Sequence, residues 1–464
     1  MPHFETGKTA SSTLTLGAAS LGFAIVILDV TVVNVALERI KASFATDITG
    51  LQWVLNAYTL VFASLLLSAG ALCDRLGAKR VFIAGFALFT AASLACAMAG
   101  GISMLIASRT VQGLGAALCV PASLALVNAS FPDAAARARA VSVWAGVGGL
   151  AIAAGPVVGG LIVDRFGWPS IFLLNLPLGL AGIWLTLAYA PPTERQSARG
   201  LDLPGQALAI LALGGLTLGF IESGALGWTH PLVVSGFVCC ILAAMAFVLT
   251  EARSAAPMLP LSLFRSSAIS AACLAGLLMN FAFYGLMFVF SLFFQSAKGY
   301  SPLTTGLAFL PMTALITIAN LVAGWLTARF GPRLPLVLGQ ALAAIGYFTL
   351  AGVDATTPYM VIVGPLLAAG IGSALAVPAM TTAVLAHADR QQVGIASGAL
   401  NAARQIGGVI GVGVLGSLVA GQADLSSSVH AVALLAGLAL TIGCLIAAIG
   451  LRSGIGKAVE ECRA

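Results

Sequence analysis

Apolar runs of about 18–26 residues recur from residue 14 to residue 451, with little polar sequence between them. Coiled as a helix at 1.5 Å per residue, a run of that length crosses a hydrocarbon core of about 30 Å. Inside lipid every backbone N–H and C=O must be satisfied within the chain, so runs this long are helices. Of the 464 residues, 59% are hydrophobic and 8% are charged. A soluble domain carries about three times that share of charge. The fold class is therefore an all-α polytopic membrane protein with the lipid bilayer as its partner.

Fourteen helices are expected, at about 14–37, 51–71, 81–99, 103–128, 139–163, 168–190, 204–221, 231–250, 267–295, 303–327, 334–352, 358–384, 395–420 and 429–451. The first run is too long for a signal-peptide core and is read as uncleaved. Lys and Arg set the orientation. With the N-terminus inside, the cytoplasmic set is Lys8, Arg75, Lys79, Arg80, Arg137, Arg139, Arg195, Arg199, Arg253, Arg265, Arg329, Arg333, Arg390, Arg452, Lys457 and Arg463. Only Arg39, Lys41, Arg165 and Lys298 fall outside, while Arg109 and Arg404 lie within runs. That asymmetry needs an even helix count and places both termini in the cytoplasm.

The halves repeat. Gly70-Ala71-Leu72-Cys73-Asp74-Arg75-Leu76-Gly77-Ala78-Lys79-Arg80 returns as Gly324-Trp325-Leu326-Thr327-Ala328-Arg329-Phe330-Gly331-Pro332-Arg333, an offset of 254. Gly115 to Ala122 returns as Gly372 to Ala379, an offset of 257. Gly-rich fifth and thirteenth helices add a third match, which argues for internal duplication. Six helices occupy only about 190 residues here, so the extra offset is an insertion filled by helices seven and eight. The plan is six plus two plus six: a bundle over 1–190, an inserted pair over 191–266 and a bundle over 267–464.

Several functions are excluded. No loop is long enough for a soluble nucleotide-hydrolysing module. Gly7-Lys8-Thr9 lacks the glycine and the strand that a phosphate loop needs. No zinc-ligand spacing or nucleophile elbow is present, so neither an enzyme nor a metal site is expected. The net charge of +6 is spread over short loops, which gives no nucleic-acid signal. Cys96, Cys119, Cys239, Cys240, Cys273 and Cys444 fall in apolar runs and Cys73 and Cys462 on the cytoplasmic side, a pattern of packing and loop residues without disulfides. No cofactor is expected; energy comes from an ion gradient, the substrate's own gradient or a partner.

Of sixteen acids, only Asp29 falls well within a run. A lone acid in lipid is costly and points to function. Read from the outer ends of their helices, Asp29 and Arg109 lie at depths of roughly 12 and 9 Å, close enough to pair. A pair that protonation can break is a proton switch; a permanent structural pair is the alternative. Gln112, one turn after Arg109, can hold either partner. Gly70, Asp74, Arg75, Gly77, Lys79 and Arg80 form a short, charge-dense loop, read as a conformational latch or as a plain positive-inside loop. On the fifth helix, Gly155, Pro156, Gly159 and Gly160 allow close helix approach and a hinge or seal. Candidate cavity residues are Asn34, Asn56, Gln112, Asn280, Phe281, Tyr284, Phe288, Asn401 and Arg404. Arg404 has no acid in a run to pair with, so it bonds carbonyls or amides or meets an anionic substrate.

These segments together resemble the major facilitator superfamily, in its fourteen-helix drug:proton antiporter branch, over nearly the whole chain. Leu28-Asp29-Val30-Thr31-Val32-Val33-Asn34-Val35-Ala36-Leu37 is similar to that branch's first-helix motif, and Gly70 to Arg80 to the superfamily's loop signature. Arg109 with Gln112-Gly113 is similar to the fourth-helix motif implicated in proton transfer. Gly155-Pro156-Val157-Val158-Gly159-Gly160 resembles the fifth-helix antiporter motif. Glu38, Ala78 and Pro169 depart from those patterns, and Ala328 departs in the second loop signature.

The resemblance implies a proton-coupled exporter of hydrophobic drugs, mainly cationic, or of other toxic compounds. It implies a multi-pass protein of a bacterial inner membrane, working as a monomer by alternating access. Asp29 and Arg109 carry the coupling, and Asp74 braces one state against the thirteenth helix near Val393–Ile395. A self-made antibiotic or other metabolite is the alternative cargo. An importer on the same fold and a non-transporting membrane sensor are the rival classes.

Overall fold

The computed structural model describes residues 3–193, 202–254, 257–389, 392–420 and 425–451. Arg195, Arg199, Arg390, Arg452, Lys457, Arg463 and Cys462 lie outside them. Among the described residues there is no strand, and fourteen helices are long and apolar enough to cross a membrane.

The first six are α1 (His3–Phe44), α2 (Ile48–Leu76), α3 (Ala78–Ala97), α4 (Ile102–Ser130), α5 (Ala134–Phe166) and α6 (Pro169–Tyr189). Two more follow, α7 (Leu203–Leu226) and α8 (Pro231–Arg253). The last six are α9 (Ser267–Ala297), α10 (Pro302–Phe330), α11 (Arg333–Leu350), α12 (Tyr359–His387), α13 (Val393–Ala420) and α14 (Leu425–Gly450).

Three boundaries differ from the sequence reading. Helix α1 continues past Leu37 to Phe44, so Arg39 and Lys41 sit on helix and not in a loop. Glu38, Arg39 and Lys41 are good helix formers, and Arg39 and Lys41 reach Asp164 and Glu38 from the helix. Helix α5 starts at Ala134 behind an Asp133 N-cap that accepts from Ala136 N, which places Arg137 and Arg139 in its first turns. The expected 70–80 loop shrinks to one residue. Gly77, at φ +87°, ends α2 and starts α3, while Gly70 to Leu76 and Ala78 to Arg80 are helical. A left-handed backbone turns the chain in a single residue, which only glycine does without strain.

The chain divides into two compact units. The first is Met1–Ile210 with Tyr300–Leu310; the second is Leu211–Gly299 with Pro311–Ala464. Within the first, α4 packs on α2 and α3, and α1 packs on α4, α5 and α6. Within the second, α12 packs on α11, and α9 packs on α12, α13 and α14. The pairings α3–α4 and α1–α5 thus return as α11–α12 and α9–α13.

Small residues make the repeat physical. A Cβ on Gly115 would stand 2.9 Å from the Gly85 carbonyl oxygen, and one on Gly372 would stand 2.4 Å from that of Gly339. These two pairs are related by the offsets of 254 and 257 that the sequence repeat carries. Helix axes come this close in lipid only where both surfaces are small.

Candidate functional site

Asp29 and Arg109 form an ion pair in the first unit, with each side chain 1% exposed. Five helices build its surroundings. Asp29 comes from α1, Val54 and Tyr58 from α2, Ser93 and Cys96 from α3, Arg109 and Gln112 from α4, and Phe172 and Asn175 from α6. Each helix presents one or two polar groups from an otherwise apolar face, so burying the faces brings the polar groups together.

Arg109 Nη1 donates to Asp29 Oδ2. It also donates to Gln112 Oε1 at 2.6 Å, while Nε donates to the Val54 carbonyl at 3.1 Å. The guanidinium lies 4.3 Å over the Tyr58 ring and 5.8 Å from that of Phe172. The other carboxylate oxygen, Asp29 Oδ1, accepts from Gln112 Nε2 at 2.9 Å and from Asn175 Nδ2 at 3.1 Å. Both amides donate on to Ser93 Oγ, at 2.8 and 3.2 Å, and Ser93 donates to Phe89 O at 2.8 Å. Gln112 Oε1 also accepts from the Cys96 thiol at 3.7 Å.

Charge-assisted bonds and ring contact are what make a buried ion pair tolerable, since each ion has given up water. Removing one partner from such a pair costs about 3–5 kcal/mol, because the other stays buried and uncompensated. The equal-depth estimate measured Asp29 from Leu37. The helix runs seven residues further, to Phe44, so with Asp29 and Arg109 paired the outer end of α1 extends beyond the start of α4.

The sequence reading brought Asp29, Arg109 and Gln112 together and missed Ser93, Asn175 and Tyr58. Asn175 follows a break at Leu174, where α6 is interrupted between Leu173 and Asn175. An Asn at a broken turn two residues before Pro177 is the signal that could have found it.

Other candidates are dispersed. Asn34 is buried and donates to Val30 O at 2.8 Å on its own helix. Asn56 is buried. Asp74, Arg75 and Arg80 are exposed, and Gly70 has open space around it. Lys79 does something not foreseen: its Nζ donates to Leu187 O at 3.2 Å and Ala190 O at 2.7 Å, and its backbone N–H donates to Thr193 Oγ1 at 3.2 Å. A cation on the last carbonyls of α6 complements that helix's dipole and ties α3 to it.

On α5, a Cβ at Gly155 would stand 1.9 Å from Thr31 Oγ1, and one at Gly159 would stand 2.9 Å from Val32 and Val35. Gly160 faces the other way: a Cβ there would stand 2.4 Å from the Pro302 carbonyl oxygen, and one on Gly306 would stand 2.1 Å from the Pro156 carbonyl oxygen. At the end of the same helix, Asp164 Oδ2 accepts from Ser301 Oγ at 2.9 Å and Leu303 N at 3.1 Å.

In the second unit, Asn280, Phe281 and Phe288 are buried, Tyr284 and Arg404 are partly exposed, and Asn401 is exposed. The aromatic α9 is mostly interior: Phe288, Phe290, Phe293 and Phe294 are among the largest fully buried side chains. The positions 257 residues beyond Arg109 and Gln112 are Leu366 and Ala369, both buried, so the second repeat carries no counterpart of the ion pair. Among the described residues no group of His, Cys, Asp and Glu is placed to hold a metal ion.

A twice-repeated helical membrane fold with a charge pair buried in one repeat only is that of a secondary transporter. The sequence profile of the Major Facilitator Superfamily matches residues 19–412, and the chain belongs to that superfamily. It is 40% identical over 440 residues to the methylenomycin A resistance protein of Streptomyces coelicolor, covering 95% of this chain and 92% of that one. It is 38% identical over 417 residues to the multidrug resistance protein Stp of Mycobacterium tuberculosis, covering 90% and 78%. The fold is similar to a bacterial homologue of the human lysosomal transporter Spinster in an inward-facing, unoccupied conformation. That likeness has a TM-score of 0.66 at 15% identity and covers 96% and 98% of the two chains.

Proposed function

We propose that this chain is a proton-coupled antiporter that exports hydrophobic drugs or antibiotics across the inner membrane of a bacterial cell. The observation that carries the coupling is the Asp29–Arg109 pair, buried at 1% exposure in a unit whose other helices contribute only neutral polar groups to it. An acid kept there costs stability, and proton exchange gives it a use. The relatives named for methylenomycin A resistance and multidrug resistance support drugs and antibiotics as cargo. A self-made antibiotic fits the same machinery.

In this reading the bundles 1–190 and 267–464 alternate access to a central site, and 191–266 links them. Both termini are cytoplasmic, the protein works as a monomer, and the proton gradient replaces any cofactor. Asp29 takes a proton from outside and releases it inside, and Arg109 holds the carboxylate in place between turns of the cycle.

The test uses everted membrane vesicles bearing the wild-type chain or Asp29→Asn, with ethidium and an uncharged dye as cargo. Wild-type vesicles accumulate dye when a pH gradient is imposed. The Asn variant loses that accumulation while keeping gradient-free exchange. Full gradient-driven accumulation by Asp29→Asn sinks the coupling role.

A further inference from the structure

Two arginines, Arg109 and Arg404, lie seven or more residues from either end of their helices, and they differ in one respect. Arg109 is engaged through Nη1, by Asp29 and Gln112, and through Nε, by the Val54 carbonyl, with its guanidinium over the Tyr58 ring. Arg404 sits eleven residues into α13 (Val393–Ala420), about 16 Å from the nearer end of the helix. Its Nε is buried and has no hydrogen-bond partner among the described residues. No carboxylate there forms an ion pair with it.

Sequence alone deepens the imbalance. From Ser267 to Leu451 the acids are Asp354, Asp389 and Asp424. Asp354 and Asp389 lie between helices, and Asp424 is outside the described residues. The interior of the last six helices thus holds one permanent positive charge and no negative one among the described residues. A guanidinium does not deprotonate in proteins, so it cannot escape its cost by becoming neutral.

The side chain is nevertheless held in position. The Arg404 Cγ lies 2.9 Å from where a Cβ on Gly276 would be, beside Met380 Sδ at 3.1 Å and Leu400 Cδ1 at 3.4 Å. Only a glycine at 276 leaves room for that stem. One turn further along α13, Gly408 packs against the Tyr284 ring, and Tyr284 lies within electrostatic reach of Arg404. Asn401, one turn before Arg404, is exposed. Arg404 as a residue is partly exposed, while its Nε is buried and its stem lies against Met380 and Leu400.

We propose that Arg404 is the recognition point for a negatively charged group on the cargo, so that this transporter takes apolar organic anions, carboxylates foremost. The claim rests on the export reading above and narrows it. A planar guanidinium with free donors matches a carboxylate in two-pronged geometry. Tyr284, partly exposed and within electrostatic reach of Arg404, supplies an apolar face for the body of the molecule. The charge sign runs against the cation expected from family resemblance. Among the described residues a cation has only Asp29 to meet at mid-helix depth, and Asp29 is already engaged by Arg109, Gln112 and Asn175. The mid-helix depth of Arg404 also separates it from lipid headgroup phosphates.

The test is binding of a matched pair, 1-pyrenebutyrate and its methyl ester, to the purified full chain in lipid nanodiscs. The two probes differ by one negative charge. The wild-type chain binds the acid at least about tenfold more tightly than the ester. In Arg404→Gln that ratio falls to about one, and Arg404→Lys, which keeps the charge but not the fork, retains an intermediate ratio. A wild-type ratio near one, or a ratio unchanged in Arg404→Gln, overturns the proposal. Transport separates the two readings. Selective binding without gradient-driven movement of pyrenebutyrate in vesicles defeats export and leaves the anion site standing. Gradient-driven movement of a neutral dye with an acid-to-ester ratio of one does the reverse.

Discussion

Gly113→Ala perturbs the coupling site without touching a charged atom. Gly113 follows Gln112 on α4 and packs on α2. A Cβ there would stand 2.4 Å from the Tyr58 carbonyl oxygen and 3.1 Å from its carbonyl carbon and Cα. All three are backbone atoms, so no side chain can swing aside, and the helices must part by about 1 Å to restore van der Waals contact. Arg109, one turn back, donates to Val54 O, one turn back on α2, at 3.1 Å. Parting by that much takes the bond past hydrogen-bonding range and lifts the guanidinium off the Tyr58 ring. Overpacking costs about 1–3 kcal/mol, and the loss of a charged donor's bond costs about 1.5–3 kcal/mol. The variant should melt roughly 3–6 °C below wild type in matched lipid, and gradient-driven uptake into vesicles should fall with it. Gly70→Ala is the control: a Cβ there meets nothing within 4 Å, so helix propensity alone acts and stability stays level or rises by up to about 1 kcal/mol. A Gly113→Ala protein that melts within about 2 °C of wild type and transports normally would refute the idea that this close approach holds Arg109 in place.

Asn175→Leu keeps side-chain bulk but removes the donor to Asp29 Oδ1 and to Ser93, and should lower the melting point by about 1.5–3 kcal/mol equivalent; no loss in a thermal melt means Gln112 alone suffices for that oxygen. Asp354 tests acid stability between α11 and α12. Bonds from the Thr356 and Thr357 side chains, and then their backbone N–H groups, hold its carboxyl at about 2 against an ordinary 3.8. Because the folded value is the lower one, its stabilisation is present above about pH 4 and is lost as pH falls toward about 2. Melting curves of wild type and Asp354→Ala should therefore converge across that window, and a constant gap would contradict the assignment.

The helices were legible because length and apolarity are written residue by residue, and lipid allows no other form. Their ends were less so. Glu38, Arg39 and Lys41 read as loop by polarity, yet they continue α1, since a helix outside the hydrocarbon needs no apolar residues. Gly70 to Arg80 read as a loop by glycine and charge, yet a single glycine suffices for the turn. In the site, Asp29, Arg109 and Gln112 stood out because charge and amide are expensive in an apolar run. Ser93 did not, since a lone Ser in a membrane helix more often bonds its own backbone, as Ser93 also does to Phe89. The Val54 carbonyl carries no sequence signal at all. Arg404 was visible as a charge, but its lack of a hydrogen-bond or ion-pair partner among the described residues was a property of packing that only three dimensions reveal.

The Asp29–Arg109 pair has an electrical consequence. While both are ionised, the pair carries no net charge. Neutralising the carboxylate leaves the guanidinium's charge behind, still fixed to the Val54 carbonyl and the Tyr58 ring. The first unit then holds one net positive charge at a depth that salt does not screen. Any rearrangement that carries this charge through the transmembrane field does work, about 2.3 kcal/mol for one full charge across 100 mV. In the proposed cycle, voltage therefore acts on the proton-loaded form and leaves the empty form almost untouched, so the step after neutralisation is the one that membrane potential sets.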